Sequence, residues 1–169
     1  MQTRSGTAAC GPVELFYEDL GDPGDPAVVL IMGVGAQLPM WPDGFCAQLL
    51  NRCYRVIRFD HRDTGLSTKL RGQRAKGSVY PQGMLRQFDA ILGTGSLVKY
   101  ARKITAPTVV VHGSQDPMVR PRNGRNLARV IDGARYVVVD GMGHDLPEPV
   151  WRPVVEALTE NFGPVHSPK

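Results

Sequence analysis

The sequence predicts an α/β fold, three layers deep around a mostly parallel sheet, on three observations. Unbroken apolar runs occur at Ala27–Met32 (AVVLIM), Thr108–Val111 (TVVV) and Tyr136–Val139 (YVVV), as in strands covered on both faces. Amphipathic helical patterns lie between runs, and Gly- and Asp-rich segments follow them, where a parallel sheet gathers its loops. With 169 residues, one domain over 1–169 is expected, its ends 1–10 and 163–169 loose.

Each element has its own reason. Val13–Asp19 (VELFYED) alternates apolar and polar residues and reads as an antiparallel edge strand, closed by the turn Gly21–Pro26 (GDPGDP). Ala27–Met32 is the first buried strand. Trp41–Arg52 carries Phe45, Leu49 and Leu50 at helical spacing, with Asp43 near its start. Tyr54–Phe59 (YRVIRF) is the next strand, stopping at Asp60. From His61 to about Pro81 the chain is basic, Gly-containing and aperiodic, an extended loop. Gln82–Leu92 is helical through Met84, Leu85, Phe88, Ile91 and Leu92, ending at Gly93. Thr108–Val111 and Tyr136–Val139 are strands flanking a helix at Arg122–Val130. Val150–Asn161 is the last helix, striped by Trp151, Val154, Val155 and Leu158.

Composition narrows the class. The chain is 42% hydrophobic and 21% charged, as in an ordinary soluble domain. The net charge of +4 is dispersed, and Arg122, Arg125 and Arg129 at helical spacing form a solvated face, so no nucleic-acid partner is expected. Cys10, Cys46 and Cys53 have neither CxxC nor His-rich spacing, so they read as buried thiols in a reducing cytoplasm. Met1–Cys10 lacks the apolar core of a signal peptide, and no run approaches the roughly 20 residues that cross a bilayer. A cytoplasmic protein with no membrane partner and no cofactor is expected. Asp60, His61 and Asp63 share a loop with Arg62, which suits a salt-bridged anchor better than a metal site.

In an open parallel sheet, ligands bind at the carboxyl ends of the strands. After Ala27–Met32 comes Gly33-Val34-Gly35, whose backbone N–H groups suit a developing oxyanion, although a tight turn without a ligand explains them equally. After Thr108–Val111 comes Gly113-Ser114-Gln115-Asp116. After Tyr136–Val139 comes Gly141-Met142-Gly143-His144. A carboxylate and an imidazole at neighbouring strand ends can hydrogen-bond, fixing the tautomer of His144 and stabilising its cation. Such an acid and base serve a nucleophile, yet no G-x-S-x-G elbow appears. Ser67 is the nearest formal substitute; Ser114 reads as a turn hydroxyl beside Asp116, and Ser96 and Cys46 lack the strand-before, helix-after context of an elbow. General-base activation of water by His144 and Asp116 is the other route.

Val28–Cys46, Tyr54–Leu70, Ala106–Pro121 and Val137–Pro147 together resemble the α/β-hydrolase family, bacterial esterases of the aclacinomycin methylesterase branch in particular. The resemblance implies Asp116 as triad acid, His144 as triad base and amides near Gly33 and Val34 as oxyanion donors. It also implies a reduced fold, lacking the nucleophile-elbow strand and most of the lid, with the loss near Leu70–Tyr80. The expected function is hydrolysis of short acyl or aryl esters, a small-molecule substrate, with an unassigned or water nucleophile. The alternative is a catalytically silent remnant used in binding or assembly; cofactor-free lyase chemistry is a third class on the same fold. Loss of central strands leaves two outcomes, direct pairing of Ala27–Met32 with Thr108–Val111 or pairing of exposed edges between chains; an exposed apolar edge is a liability, so a homodimer, strand exchange included, is the expected partner.

Overall fold

The computed structural model describes residues 2–70 and 82–163. The sequence reading treats the chain as one domain; its contacts group into two compact units, Met1–Gly95 and Ser96–His166. The expected loss near Leu70–Tyr80 lies, Leu70 apart, outside the described residues.

The first unit holds a four-stranded sheet in the order β1-β2-β4-β3. β1 (Thr3–Cys10) and β2 (Val13–Leu20) form a hairpin in full register, from Thr3 opposite Leu20 to Cys10 opposite Val13. Gly11 opens its two-residue turn at φ +60°, ahead of Pro12, a conformation that glycine adopts without a Cβ penalty. The expected loose N-terminus is therefore a strand, and β2 is interior rather than an edge, since β4 (Arg55–Phe59) pairs along its other side. β3 (Ala27–Leu30) runs parallel to β4, Val28 opposite Val56.

β3 corrects a second expectation. Its neighbourhood is not covered on both faces: Val29 is 53% exposed and Ile31, just beyond it, 67%. Within the first unit the described ladders join β3 to β4. α1 (Asp43–Leu50) packs on β4 and supplies Phe45, Cys46 and Leu49 to a core completed by Leu20, Tyr54 and Val56. Within that core Arg58 stays charged. Burial works against its guanidinium, but Glu18 and Asp43 at 2.8 and 2.7 Å outweigh that and raise its pKa. α2 (Gln82–Thr94) closes the unit and is tied back through Arg86, whose Nη2 lies 2.6 Å from Asp63 Oδ1.

The second unit is a β–α–β arrangement with two further helices. β5 (Val109–Gly113) and β6 (Arg135–Val139) are parallel, Val109 opposite Arg135 and Gly113 opposite Val139. α4 (Pro121–Val130) and α5 (Glu148–Phe162) pack on them, burying Ala128, Val150, Val154 and Val155. A two-stranded sheet is marginal alone, so these helices supply its apolar cover. α3 (Val98–Ala101), a single turn the apolar pattern does not reveal, packs on α4 through this unit's N-terminal segment. No described helix is long and apolar enough to cross a membrane.

Candidate active site

β5 ends in a tight turn that presents Asp116 with its carboxylate almost fully enclosed, 8% exposed. Oδ1 accepts the backbone N–H groups of Met118 and Val119, each at 2.9 Å, an aspartate turn closed by its own side chain. Oδ2 is left to face the loop after β6, where it meets Nδ1 of His144 at 2.7 Å. Burial alone would raise the pKa of this carboxyl. The hydrogen bonds from His144, Val119 and Met118 outweigh it and hold Asp116 below the usual carboxylate range. An ionised Asp116 only accepts, so Nδ1 of His144 carries the shared proton, and in the neutral ring the lone pair is on Nε2. The imidazole is 46% exposed.

Two loops must approach closely for this contact to exist, and Gly113 permits it. A Cβ there would overlap the carbonyl oxygens of Met142 and Gly143, in the loop that carries His144. The loops are then stitched together. The N–H of Ser114 donates to Val139 O at 3.0 Å, and that of Gln115 to Met142 O at 3.0 Å. Ser114 Oγ donates to Asp140 at 3.0 Å and accepts the N–H of Gly141 at 2.9 Å. Gly141 sits at φ +71°, the left-handed region that glycine favours. Beyond His144, the Trp151 indole donates to Leu146 O at 2.7 Å and pins the loop to α5.

Ser114 is thus a bridge between the Asp116 and His144 loops. Ser114→Ala should cost about 1 kcal/mol of stability by removing its hydroxyl's hydrogen bonds, and should broaden the low-field proton NMR signal of His144 Nδ1–H. Urea unfolding and proton NMR on the same preparation check both. An unchanged His144 signal would mean that the loops hold His144 without this bridge.

Ser96 begins the second unit, its hydroxyl oxygen 3.4 Å from the Val98 N–H; the remaining candidates lie in the first unit. Ser67 is 3% exposed; its hydroxyl donates to Asp60 O at 2.7 Å and accepts the Phe16 N–H at 2.8 Å. That geometry makes Ser67 a buried brace between β2 and the Asp60 loop, with no free hydroxyl to attack a substrate. Asp60 spends its carboxylate on the N–H groups of Leu38 and Leu66, at 2.8 and 2.9 Å. Asp63 holds Leu70 N–H and Arg86; although burial opposes ionisation, those partners lower its pKa. Cys46 is fully enclosed and burial pushes its thiol up, against nucleophilic use. Cys10 and Cys53, expected to be buried, are exposed.

Gly33 and Val34 follow β3 and border a cleft of about 770 Å³ with His61, Arg62 and Ile91. A Cβ at Gly33 would meet open space. His61 contacts the carbonyl of Met32 through Nε2 at 2.7 Å, which accounts for its place in the loop.

One polar residue within β5 escaped the sequence reading. His112 places Nε2 at 2.7 Å from Val119 O and 3.5 Å from Asp116 Oδ2. Its only signal in the sequence is an imidazole interrupting the apolar run before Gly113.

Comparison with known proteins agrees with this architecture. A family described as TAP-like protein matches residues 93–160. Rhodomycin D methylesterase DnrP of Streptomyces peucetius is 36% identical over 98 residues, which are 58% of this chain and 30% of that protein. Rhodomycin D methylesterase DauP of Streptomyces sp. strain C5 matches to the same extent. The chain therefore aligns with less than a third of these relatives' length. Among solved structures, an enol-lactonase from Burkholderia xenovorans has a TM-score of 0.65 at 18% identity, covering 90% of this chain and 99% of that one. A bromoperoxidase from Bacillus anthracis scores 0.70 at 16% identity, over 94% and 99% of the two chains. At such identities the likeness concerns the fold.

Proposed function

For this chain of the α/β-hydrolase fold, we propose that His144 and Asp116 act as general base and orienting acid in carboxylic-ester hydrolysis, with water as nucleophile. One observation carries the proposal: the 2.7 Å contact from His144 Nδ1 to Asp116 Oδ2, which leaves Nε2 as the basic nitrogen of a half-exposed ring. Nε2 takes a proton from water as its oxygen bonds to the ester carbonyl carbon. The imidazolium, stabilised by Asp116, then protonates the departing alkoxide as the C–O bond breaks, leaving a carboxylic acid and an alcohol. Short acyl or aryl esters are the substrate class, and the designation of DnrP and DauP as methylesterases adds methyl esters to it.

The test is turnover of p-nitrophenyl acetate by wild type and His144→Ala. The variant should lose most of the roughly 10²–10⁴-fold that a general base contributes. Equal rates would overturn the proposal.

A second reading, a catalytically silent chain used in assembly, is favoured by a different observation. Among the described residues no hydroxyl or thiol hydrogen-bonds His144, while Val29 of β3 and Ile31 just beyond it are exposed. It expects a homodimer in light scattering together with no His144-dependent turnover.

A further inference from the structure

We propose that His112 is a positioning residue for the Asp116–His144 pair, a role that rests on the hydrolytic reading above. The side chain, 11% exposed, leaves β5 and enters a space that α4 keeps open. A Cβ at Gly124 of α4 would overlap Nδ1 of the ring and would also lie 3.2 Å from Tyr136. Tyr136 in turn donates its hydroxyl proton to Pro121 O at 2.8 Å, fixing the start of the same helix. The imidazole of His112 is therefore held in one place by its surroundings.

What it does there follows from the acceptor it faces. Val119 O can only accept, so Nε2 of His112 carries a proton and donates it at 2.7 Å. The same residue, Val119, donates its N–H to Asp116 Oδ1 at 2.9 Å. His112 thus grips the peptide segment whose amide grips the acid. Its Nε2 also lies 3.5 Å from Asp116 Oδ2, too far for a good hydrogen bond but close enough for its N–H dipole to favour that oxygen's present position. Oδ2 is the atom that holds His144. Without the His112 donor, the Met118–Val119 turn loses its outer anchor, and Asp116 can rotate away from His144 without any change in what contacts substrate.

The experiment compares wild type with His112→Gln, His112→Asn and His112→Leu. Gln places its amide nitrogen near the Nε2 position and can still donate to Val119 O; Asn reaches only the Nδ1 position, and Leu fills space without donating. Three quantities are read: p-nitrophenyl acetate kinetics, the low-field proton NMR signal of His144 Nδ1–H, and Tm. For Leu and Asn, kcat should fall about tenfold with KM within about twofold, the loss of one hydrogen bond expressed in the rate. Their His144 signal should broaden or move upfield, while Gln keeps the wild-type signal and a kcat within about threefold of wild type. Equal losses in Gln and Asn, or an unchanged His144 signal in both Leu and Asn, would overturn the proposal. Should Leu not fold, the Gln and Asn pair decides alone. If wild type itself has no His144-dependent turnover, the hydrolytic reading fails, and the NMR signals still decide whether His112 positions the pair.

Discussion

Asp116→Asn is expected to remove nearly all of the His144-dependent ester turnover, a loss reaching toward the roughly 10²–10⁴-fold range of general-base catalysis. The volume of the side chain is unchanged, so the effect comes from proton placement. An Asn carboxamide can still accept the Met118 and Val119 N–H groups through its oxygen, which turns its NH₂ toward His144. A donor there stabilises the tautomer with the proton on Nε2, and the base loses its lone pair where water would be. The substitution also changes acid behaviour. Because folding lowers the pKa of Asp116, its stabilisation is fully present above the ordinary aspartate value near about 3.9 and is lost as pH falls through the lowered folded value. The Asn variant should lack this contribution to the acid limb. Turnover at neutral pH and denaturant midpoints from pH 6 downward measure the two effects; an Asn variant with wild-type kcat would remove Asp116 from the mechanism.

Gly113→Ala should be the most damaging single-methyl change in the second unit. The added carbon overlaps two backbone carbonyls, those of Met142 and Gly143, neither of which is the flexible end of a side chain. The loop must move as a piece, breaking the Gln115–Met142 hydrogen bond and drawing His144 from Asp116. We expect a stability loss of about 3 kcal/mol, the upper part of the usual range for overpacking, together with loss of turnover. Gly133→Ala is the useful control, since its Cβ would meet open space although φ there is +67°. It should cost only the left-handed strain of about 1–2 kcal/mol and leave turnover intact. Thermal unfolding and kinetics of the two variants separate a displaced loop from a generally weakened unit.

The meeting of Asp116 and His144 was legible because each follows an apolar run that reads as a strand, so chain order sent both to strand ends. The helices at 43–50, 82–94, 121–130 and 148–162 were legible for a similar reason, their apolar spacing. β1 was not, because Thr3–Cys10 (TRSGTAAC) has no large apolar residue; its structure comes from a ladder to β2 rather than from burial. That omission also made an interior strand look like an edge. Ser67 shows a deeper limit. Its hydroxyl is judged by what lies opposite, and Phe16, 51 residues earlier, is invisible to local pattern. His112 has the same difficulty, since an imidazole in a strand has no role until the Val119 carbonyl is placed beside it.

The closeness of the pair in sequence has a kinetic meaning. Asp116 and His144 are 28 residues apart, and the ladder bringing them together belongs to one β–α–β arrangement. Loop-closure entropy grows only slowly with length, and contacts of modest sequence separation form early relative to distant ones. Asp116 and His144 should therefore meet as soon as β5 and β6 pair across α4, as part of one cooperative unit. Amide exchange should report this directly: the protected N–H groups of the β5–β6 ladder and the N–H of Val119 that holds Asp116 should open together, at a single free energy.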